Sequence, residues 1–255
     1  GFMVDVFSKD GFYLKKEIFS KSLINLYENE FDKIVTQLKK SDEDINARWG
    51  SKLTSNIETD DSSVIHTHNV QNYSSVLLQM IQNNSFLDEV EKIIGPDIIL
   101  HHTKLFEKPP KIGAAFPLHQ DWSYFPTRNN SMIAAVIHLS KSDEDMGCIK
   151  IVPKSHKLGK IKNSDGHRYN SKIHNKYKLE DAIPVVANPG DVLFFHCCSL
   201  HGSMSNLSTK PRKSILVQLY SGQDEVEEGN NHTNAQLVLR GFNYSSTRSS
   251  VNVKS

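Results

Sequence analysis

The chain has 255 residues, 38% of them hydrophobic and 23% charged, which suits a globular protein able to bury a sizeable core. Thirty basic residues stand against 29 acidic ones, so no net field directs the protein to nucleic acid or to an anionic membrane, and a small-molecule partner is the expectation. The three cysteines, Cys148, Cys197 and Cys198, make no plausible disulfide framework, no apolar run nears the roughly 20 residues that cross a bilayer, and no signal-peptide pattern opens the sequence, so a cytoplasmic location is expected.

The first third reads as helical. SKSLINLYENEFDKIVTQLKK places Leu23, Ile24, Leu26, Tyr27, Phe31, Ile34, Val35 and Leu38 at helical spacing, with Ser20 or Ser22 available as N-cap. A polar stretch rich in Asp and Ser, residues 41–63, is expected to be loop. NYSSVLLQMIQNNSFLDEVEKIIG then predicts two shorter helices ending at Gly95. From Pro96 onward the texture changes to short apolar runs between turn residues: DIILHHTKLFEKPP, SMIAAVIHLS, GCIKIVP, AIPVVAN, GDVLFFHCC, LHGSMS and RKSILVQLYS. Seven or eight short strands predict a mainly β sandwich or jelly roll. The expected organisation is one domain, in which residues 1–95 form a mostly helical scaffold, 96–220 the jelly-roll core, and 221–255 a polar C-terminal extension from which AQLVLRGF docks.

The chemistry is concentrated in two stretches. In LHQDWSYFP, His119 and Asp121 are two apart, so on an extended strand they project from one face and can hold a cation. FFHCCSLHGSMSNLSTKPRKSILVQLY holds His196 within an apolar run, where a buried structural histidine is the ordinary outcome. His201 precedes Gly202 and Ser203, where backbone can approach a ligand, and is the better metal candidate. Arg212 follows eleven residues later, and the turn composition of SNLSTKP predicts a hairpin centred near Ser208 that returns Arg212 beside Ser203 or Met204. A guanidinium beside a hydroxyl suits a carboxylate. Two histidines and one carboxylate leave open positions suited to non-haem Fe(II), although zinc would accept the same three ligands.

Together, HQD followed by YFP, MGCIKIVPKSHKLG, NPGDVLFFH, and HGS with an arginine eleven residues after its histidine resemble the phytanoyl-CoA dioxygenase family of Fe(II)/2-oxoglutarate oxygenases. The resemblance runs from about Leu105 to Tyr220 and more weakly reaches KDGFYLKKEIFS. It implies a double-stranded β-helix core of the cupin-like kind, Fe(II) held by His119, Asp121 and His201, and 2-oxoglutarate held at its distal carboxylate by Arg212 and Ser203. Gln120 matches the glutamine often found between the ligands, and Lys108 matches the lysine of the family's KPP segment, so both are expected on the cofactor side. Ile137 stands where some members have tryptophan, and PKSH replaces the commoner PGSH. The implied reaction uses O2 and releases succinate and CO2 while hydroxylating an unactivated C–H bond of a small molecule. Desaturation, cyclisation or epimerisation would use the same triad, and a non-catalytic jelly roll that binds a carboxylate is the rival from another class. Asp121 argues against a halogenase, in which a small residue replaces the carboxylate ligand.

On the substrate side the candidates are His102, one of an adjacent pair with His101 on the strand before the metal motif, and the aromatic trio Trp122, Tyr124 and Phe125. His66, His68, His167 and His174 lie in polar surroundings and are expected at the surface. The cysteines are expected to be small core residues.

Overall fold

In the computed structural model the described residues are 2–229 and 232–252, so residues 230–231 and 253–255 of the expected C-terminal extension lie outside them. The chain opens with helix α1 (Phe2–Asp10), strand β1 (Phe12–Lys15) and helix α2 (Lys21–Lys39). Ser20 caps α2, its hydroxyl accepting from the Leu23 N–H, and the buried residues Ile24, Tyr27, Phe31, Ile34, Val35 and Leu38 form one stripe. Strand β2 (Ile65–His68) leads to α3 (Ser75–Ile81) and α4 (Asn84–Ile94), which ends at Gly95 with φ +94°. The expected helices therefore stand, but residues 1–95 are not a purely helical scaffold, because β1 and β2 both enter the main sheet. The polar 41–63 stretch also carries a short 3-10 turn, Lys52–Ile57.

The later strands are β3 (Ile98–Lys108), β4 (Phe116–His119), β5 (Ile133–His138), β6 (Ile149–Ile151), β7 (Ile183–Pro184), β8 (Val192–His196), β9 (His201–Ser203), β10 (Arg212–Ser221) and β11 (Leu237–Arg240). They form two facing antiparallel sheets. The larger has the order β1-β8-β5-β10-β3-β11, with β2 sharing the outer edge of β3, and the smaller has the order β4-β9-β6-β7. β11 pairs with Ile98–Leu100 and β2 with Lys104–Glu107, so the two edge strands divide β3 between them. AQLVLRGF docks as expected.

Alternation along the central strands explains the layering. On β10, Ile215, Val217 and Leu219 join Phe31, Leu77 and Phe86 in the core between the larger sheet and the helices. Arg212, Ser214, Leu216 and Gln218 face the other way, into the space between the sheets. On β8, Phe194 packs toward the helices, while Leu193 and Phe195 pack inside with Ala134, Val136 and Ile151. Ile137 falls on the helix-packed face, and Val136 lines the inner cavity instead. In PKSH, Lys154 adopts φ +67°, the left-handed region in which a glycine carries no Cβ penalty.

The segment from His201 to Arg212 is not a hairpin. β9 pairs with β4 and β6 in the smaller sheet, whereas β10 pairs with β3 and β5 in the larger one. SNLSTKP is thus a crossover between facing sheets. Turn composition reports a change of chain direction but not which strand the returning chain will meet.

Candidate metal centre and cosubstrate pocket

The pairing of β4 with β9 sets the candidate metal centre, because His119 and His201 are directly opposite in register. Their rings lie 4.2 Å apart between centroids. Asp121, at the start of the 3-10 turn Asp121–Ser123, brings Oδ1 to 3.6 Å from His119 Nε2 and 3.2 Å from His201 Nε2. All three residues are buried and their ligand atoms converge within 4.8 Å. The Nδ1 atoms contact backbone carbonyls, His119 to Pro117 at 2.7 Å and His201 to Ser199 at 3.0 Å. Donation from Nδ1–H fixes the tautomer that leaves each Nε2 lone pair directed at the shared point, the usual outer support of a histidine ligand. Gln218 Nε2 donates to Asp121 Oδ2 at 3.0 Å, which orients the carboxylate.

Burial lowers the His119 pKa, and the neighbouring His201 acts in the same direction. Burial alone would raise that of Asp121, but the facing His201 and His119 hold it well below the usual carboxylate range. A neutral imidazole and an ionised carboxylate are the forms that bind a divalent metal. His196 is half-buried and outside this group, its Nδ1 accepting from the Cys198 N–H at 2.9 Å.

The triad opens onto a cavity of about 200 Å³ between the sheets. Arg212 and Ser203 line it together although they belong to different sheets. Arg212 is 5% exposed, its Nη1 donates to the Gly147 carbonyl, and its Nε has no hydrogen-bond partner. Burial lowers its pKa to about 10, and no carboxylate among the described residues pairs with it. A buried guanidinium with an unused N–H is costly unless an anion comes to it, so the donor set fits a dicarboxylate reaching from the metal.

Lys108 and Gln120 take other positions than expected. Lys108 does not line the cavity, and its ammonium is taken up by Ser203 Oγ at 2.7 Å, the Met204 carbonyl at 2.6 Å and the Gly147 carbonyl at 3.3 Å. Burial and the adjacent Arg212 push its pKa well down. Gln120 is also withdrawn, donating to the Gly159 and Cys198 carbonyls and accepting from the Ile161 N–H. Both brace the loops that carry the site. Gln120 has extended backbone, φ −106° and ψ 134°, between His119 and Asp121, so its side chain points to the opposite face by alternation.

Of the aromatic trio, Tyr124 and Phe125 line the cavity, whereas Trp122 turns toward Lys160 and away from it. Tyr124 Oη donates to the Asp165 carbonyl at 2.5 Å. His102 lies behind the wall, its ring 4.7 Å from Phe125 and stacked on His232 at 5.0 Å. His66 and His68 are not surface residues. Paired with Phe106 and Lys104 across β2 and β3, they line the cavity. Burial lowers their pKa values to about 3 and about 4.

Trp49, Lys104, Phe106, Gln218 and His232 also line the cavity. Trp49, from the stretch expected to be plain loop, packs 4.7 Å from the His119 ring and 5.7 Å from Tyr124. The signals for two of these residues were present in the sequence. Gln218 is an even number of residues from Arg212 on one strand, as Lys104 is from His102 and Lys108, so each shares its neighbours' face.

The phytanoyl-CoA dioxygenase (PhyH) family profile matches residues 7–214. The peroxisomal phytanoyl-CoA dioxygenase of Bos taurus is 28% identical over 226 residues, covering 82% of this chain, which spans 65% of that relative's length. An ectoine dioxygenase of Streptomyces avermitilis is 20% identical over 242 residues, covering 87% of the chain and 79% of its own length. Among solved structures, the non-heme alpha-ketoglutarate-dependent carbocyclase SnoK from nogalamycin biosynthesis superposes with a TM-score of 0.75 at 18% identity, covering 92% of each chain, and shares the jelly-roll fold. With a family match spanning most of its length, the chain belongs to the phytanoyl-CoA dioxygenase family.

Proposed function

We propose that the protein is an Fe(II)- and 2-oxoglutarate-dependent dioxygenase acting on a small molecule, with His119, Asp121 and His201 as the iron ligands. The observation that carries this reading is Arg212, a buried cation with an orphaned N–H in the same cavity as a convergent two-histidine, one-carboxylate triad. A zinc site would require the triad but not the guanidinium, and a simple carboxylate carrier would require the guanidinium but not the triad.

His119 and His201 present their Nε2 atoms, and Asp121, held ionised by the two histidines and oriented by Gln218, completes one face and leaves the cavity side open. Arg212 and Ser203 would receive the distal carboxylate of 2-oxoglutarate, the first with its free N–H and the second with its hydroxyl. Lys108 positions Ser203 by donating to its Oγ. Leu216, Val136, Ile149 and Phe195 wall the space around the cosubstrate and exclude water, which strengthens each charged contact within it. Fe(II) with 2-oxoglutarate and O2 supplies the oxidising power, with succinate and CO2 as co-products, while the protein's part is placement and access.

Hydroxylation is the favoured outcome. The carbocyclase among the structural neighbours makes ring closure a second outcome to test. A small-metabolite screen for succinate release above the uncoupled rate, with products analysed by mass, tests the proposal: a gain of roughly 16 mass units marks hydroxylation and a loss of roughly 2 marks desaturation or ring closure. Absence of any 2-oxoglutarate turnover with Fe(II) would refute it.

A further inference from the structure

The cavity holds a second cation that the iron and cosubstrate reading leaves unused. Lys104 lines it, pairs with Leu216 across β10, and finds no carboxylate within ion-pairing distance among the described residues. Its ammonium lies over the Phe125 ring, 4.6 Å from the centroid. Arg212 pairs with Lys108 four residues further along the same ladder, about 13 Å away at strand rise, so the two cations serve opposite ends of the space. The Phe125 ring packs 4.7 Å from His102, which pairs with Gln218 six residues along β10 from Arg212, and Gln218 holds Asp121, so the Lys104 ammonium over Phe125 lies toward the end of the ladder away from Arg212, the end left to a substrate.

The surroundings of Lys104 are polar on one side and apolar on the other. His68 is its partner across β2, and His68 Nε2 is buried with no hydrogen-bond partner. Since burial keeps His66 and His68 neutral, they offer hydrogen bonds rather than charge. Lys104 and Arg212 are thus the formal positive charges among the described cavity-lining residues. Phe125, Tyr124 beside it and Trp49, 5.7 Å from Tyr124, form the rest of this end. A cation left unpaired in such a space is stabilised by an incoming anion, and a bare ring face compensates only part of its lost hydration.

We infer that Lys104, assisted by His68, holds the anionic group of the substrate, and that the substrate is therefore a small organic oxyanion, a carboxylate or phosphonate, with an apolar body lying against Trp49 and Phe125. This deepens the proposed function and rests on it for the identity of Arg212's partner, 2-oxoglutarate. An acyl thioester presents a neutral acyl end to this position and is not the ligand the site is built for. The cavity volume of about 200 Å³ likewise suits a small acid.

The test is calorimetric binding to anaerobic protein with Fe(II) and saturating 2-oxoglutarate, using butanoate, ethylphosphonate, the neutral isostere butanamide and butanoyl-CoA as probes. Butanoate or ethylphosphonate should bind at least tenfold more tightly than butanamide, and which of them does so identifies the oxyanion. Lys104→Met should weaken that probe tenfold or more, and Lys104→Arg, which keeps the charge, should retain most of its affinity. 2-Oxoglutarate affinity is measured separately on each variant and on Arg212→Met. If Lys104→Met weakens 2-oxoglutarate and not the acid, Lys104 belongs to the cosubstrate and the inference is overturned. Failure of both acids to bind, or equal binding of butanamide or butanoyl-CoA, also overturns it. Should 2-oxoglutarate itself fail to bind, the proposed function falls, while acid binding that depends on Lys104 and not on Arg212 still upholds the anion site. Melting curves and the charge-conserving variant separate loss of binding from loss of fold.

Discussion

Lys108 and Arg212 face each other across the β3–β10 ladder, and both donate to the same carbonyl, that of Gly147. Two buried cations share one acceptor, but they are not equivalent. Lys108 is saturated by two further acceptors, Ser203 Oγ and the Met204 carbonyl, whereas Arg212 keeps a free Nε. Gly147 adopts φ +70°, and a Cβ there would run into the Met204 carbonyl, so this position requires glycine to bring its own carbonyl between the cations.

That difference predicts separable phenotypes. Lys108→Met strands the Met204 carbonyl and removes the donor to Ser203 Oγ, and should cost about 1–3 kcal/mol of stability, visible as a lower urea midpoint. Arg212→Ala should instead raise the 2-oxoglutarate dissociation constant roughly 30- to several-thousand-fold, the equivalent of about 2–5 kcal/mol for a broken desolvated charge pair. Equal 2-oxoglutarate affinity in Arg212→Ala and the parent protein would remove the basis of the cosubstrate assignment.

Lys213 is the internal control. It points to the opposite face, where its ammonium lies 2.8 Å from Asp32 and 3.5 Å from Glu28 on α2. Lys213→Ala should leave 2-oxoglutarate affinity unchanged and alter stability by no more than about 1 kcal/mol, as a largely surface ion pair does. Kinetics with Arg212→Ala and Lys213→Ala side by side check the register, because a shift of one residue would exchange the two phenotypes.

Metal binding should follow the triad and not the nearby sulfur-rich group. His119→Ala, Asp121→Ala and His201→Ala should each abolish the weak visible absorption expected of anaerobic protein with Fe(II) and 2-oxoglutarate. His196→Ala should retain it, since His196 is occupied by the Cys198 N–H. The opposite pattern would assign the metal to His196, Cys197 and Cys198, whose ligand atoms also converge.

Trp49 lies against the His119 ring, whereas Trp122 packs toward Lys160 outside the cavity. Tryptophan emission should therefore fall when Fe(II) binds, and the fall should vanish in Trp49→Phe and persist in Trp122→Phe. Titrations of both variants decide whether residues 41–63 cover the metal centre in solution.

His138 is 2% exposed, its Nδ1 contacts the Asp191 carbonyl at 3.0 Å, and burial lowers its pKa to about 4. The unfolded chain takes up this proton near pH 6.5 and the folded chain does not, so the folded state is penalised as pH falls from about 6.5 to about 4. At pH 7 the penalty is absent, and by pH 4 it approaches about 3 kcal/mol for this one group. Urea unfolding between pH 7 and pH 5 should show stability falling with pH, and His138→Asn should flatten the slope.

The local chemistry of the chain was legible from residue order. Period-two alternation puts His119 and Asp121 on one face and sends Arg212 and Lys213 to opposite faces, and helical spacing with a serine cap defines α2, because each depends on neighbours a few residues away. Which strands meet depended on contacts distant in sequence. The same turn residues that suggest a hairpin after His201 instead carry the chain from one sheet to the other, since the apolar face of β10 is buried only when it packs beneath α2 and α3. The four-residue strands β1 and β2 are too short for a periodic signal and exist because β8 and β3 offer them open edges. Once β2 lies beside β3, His66 and His68 leave the surface for the cavity, and the crossover brings Ser203 to Lys108, which takes that ammonium away from the cavity. Residue order thus determined which side chains can act, and the packing of two sheets determined which of them share a cavity, because a hydrogen bond or charge pair forms between groups that are close in space however far apart they lie in sequence.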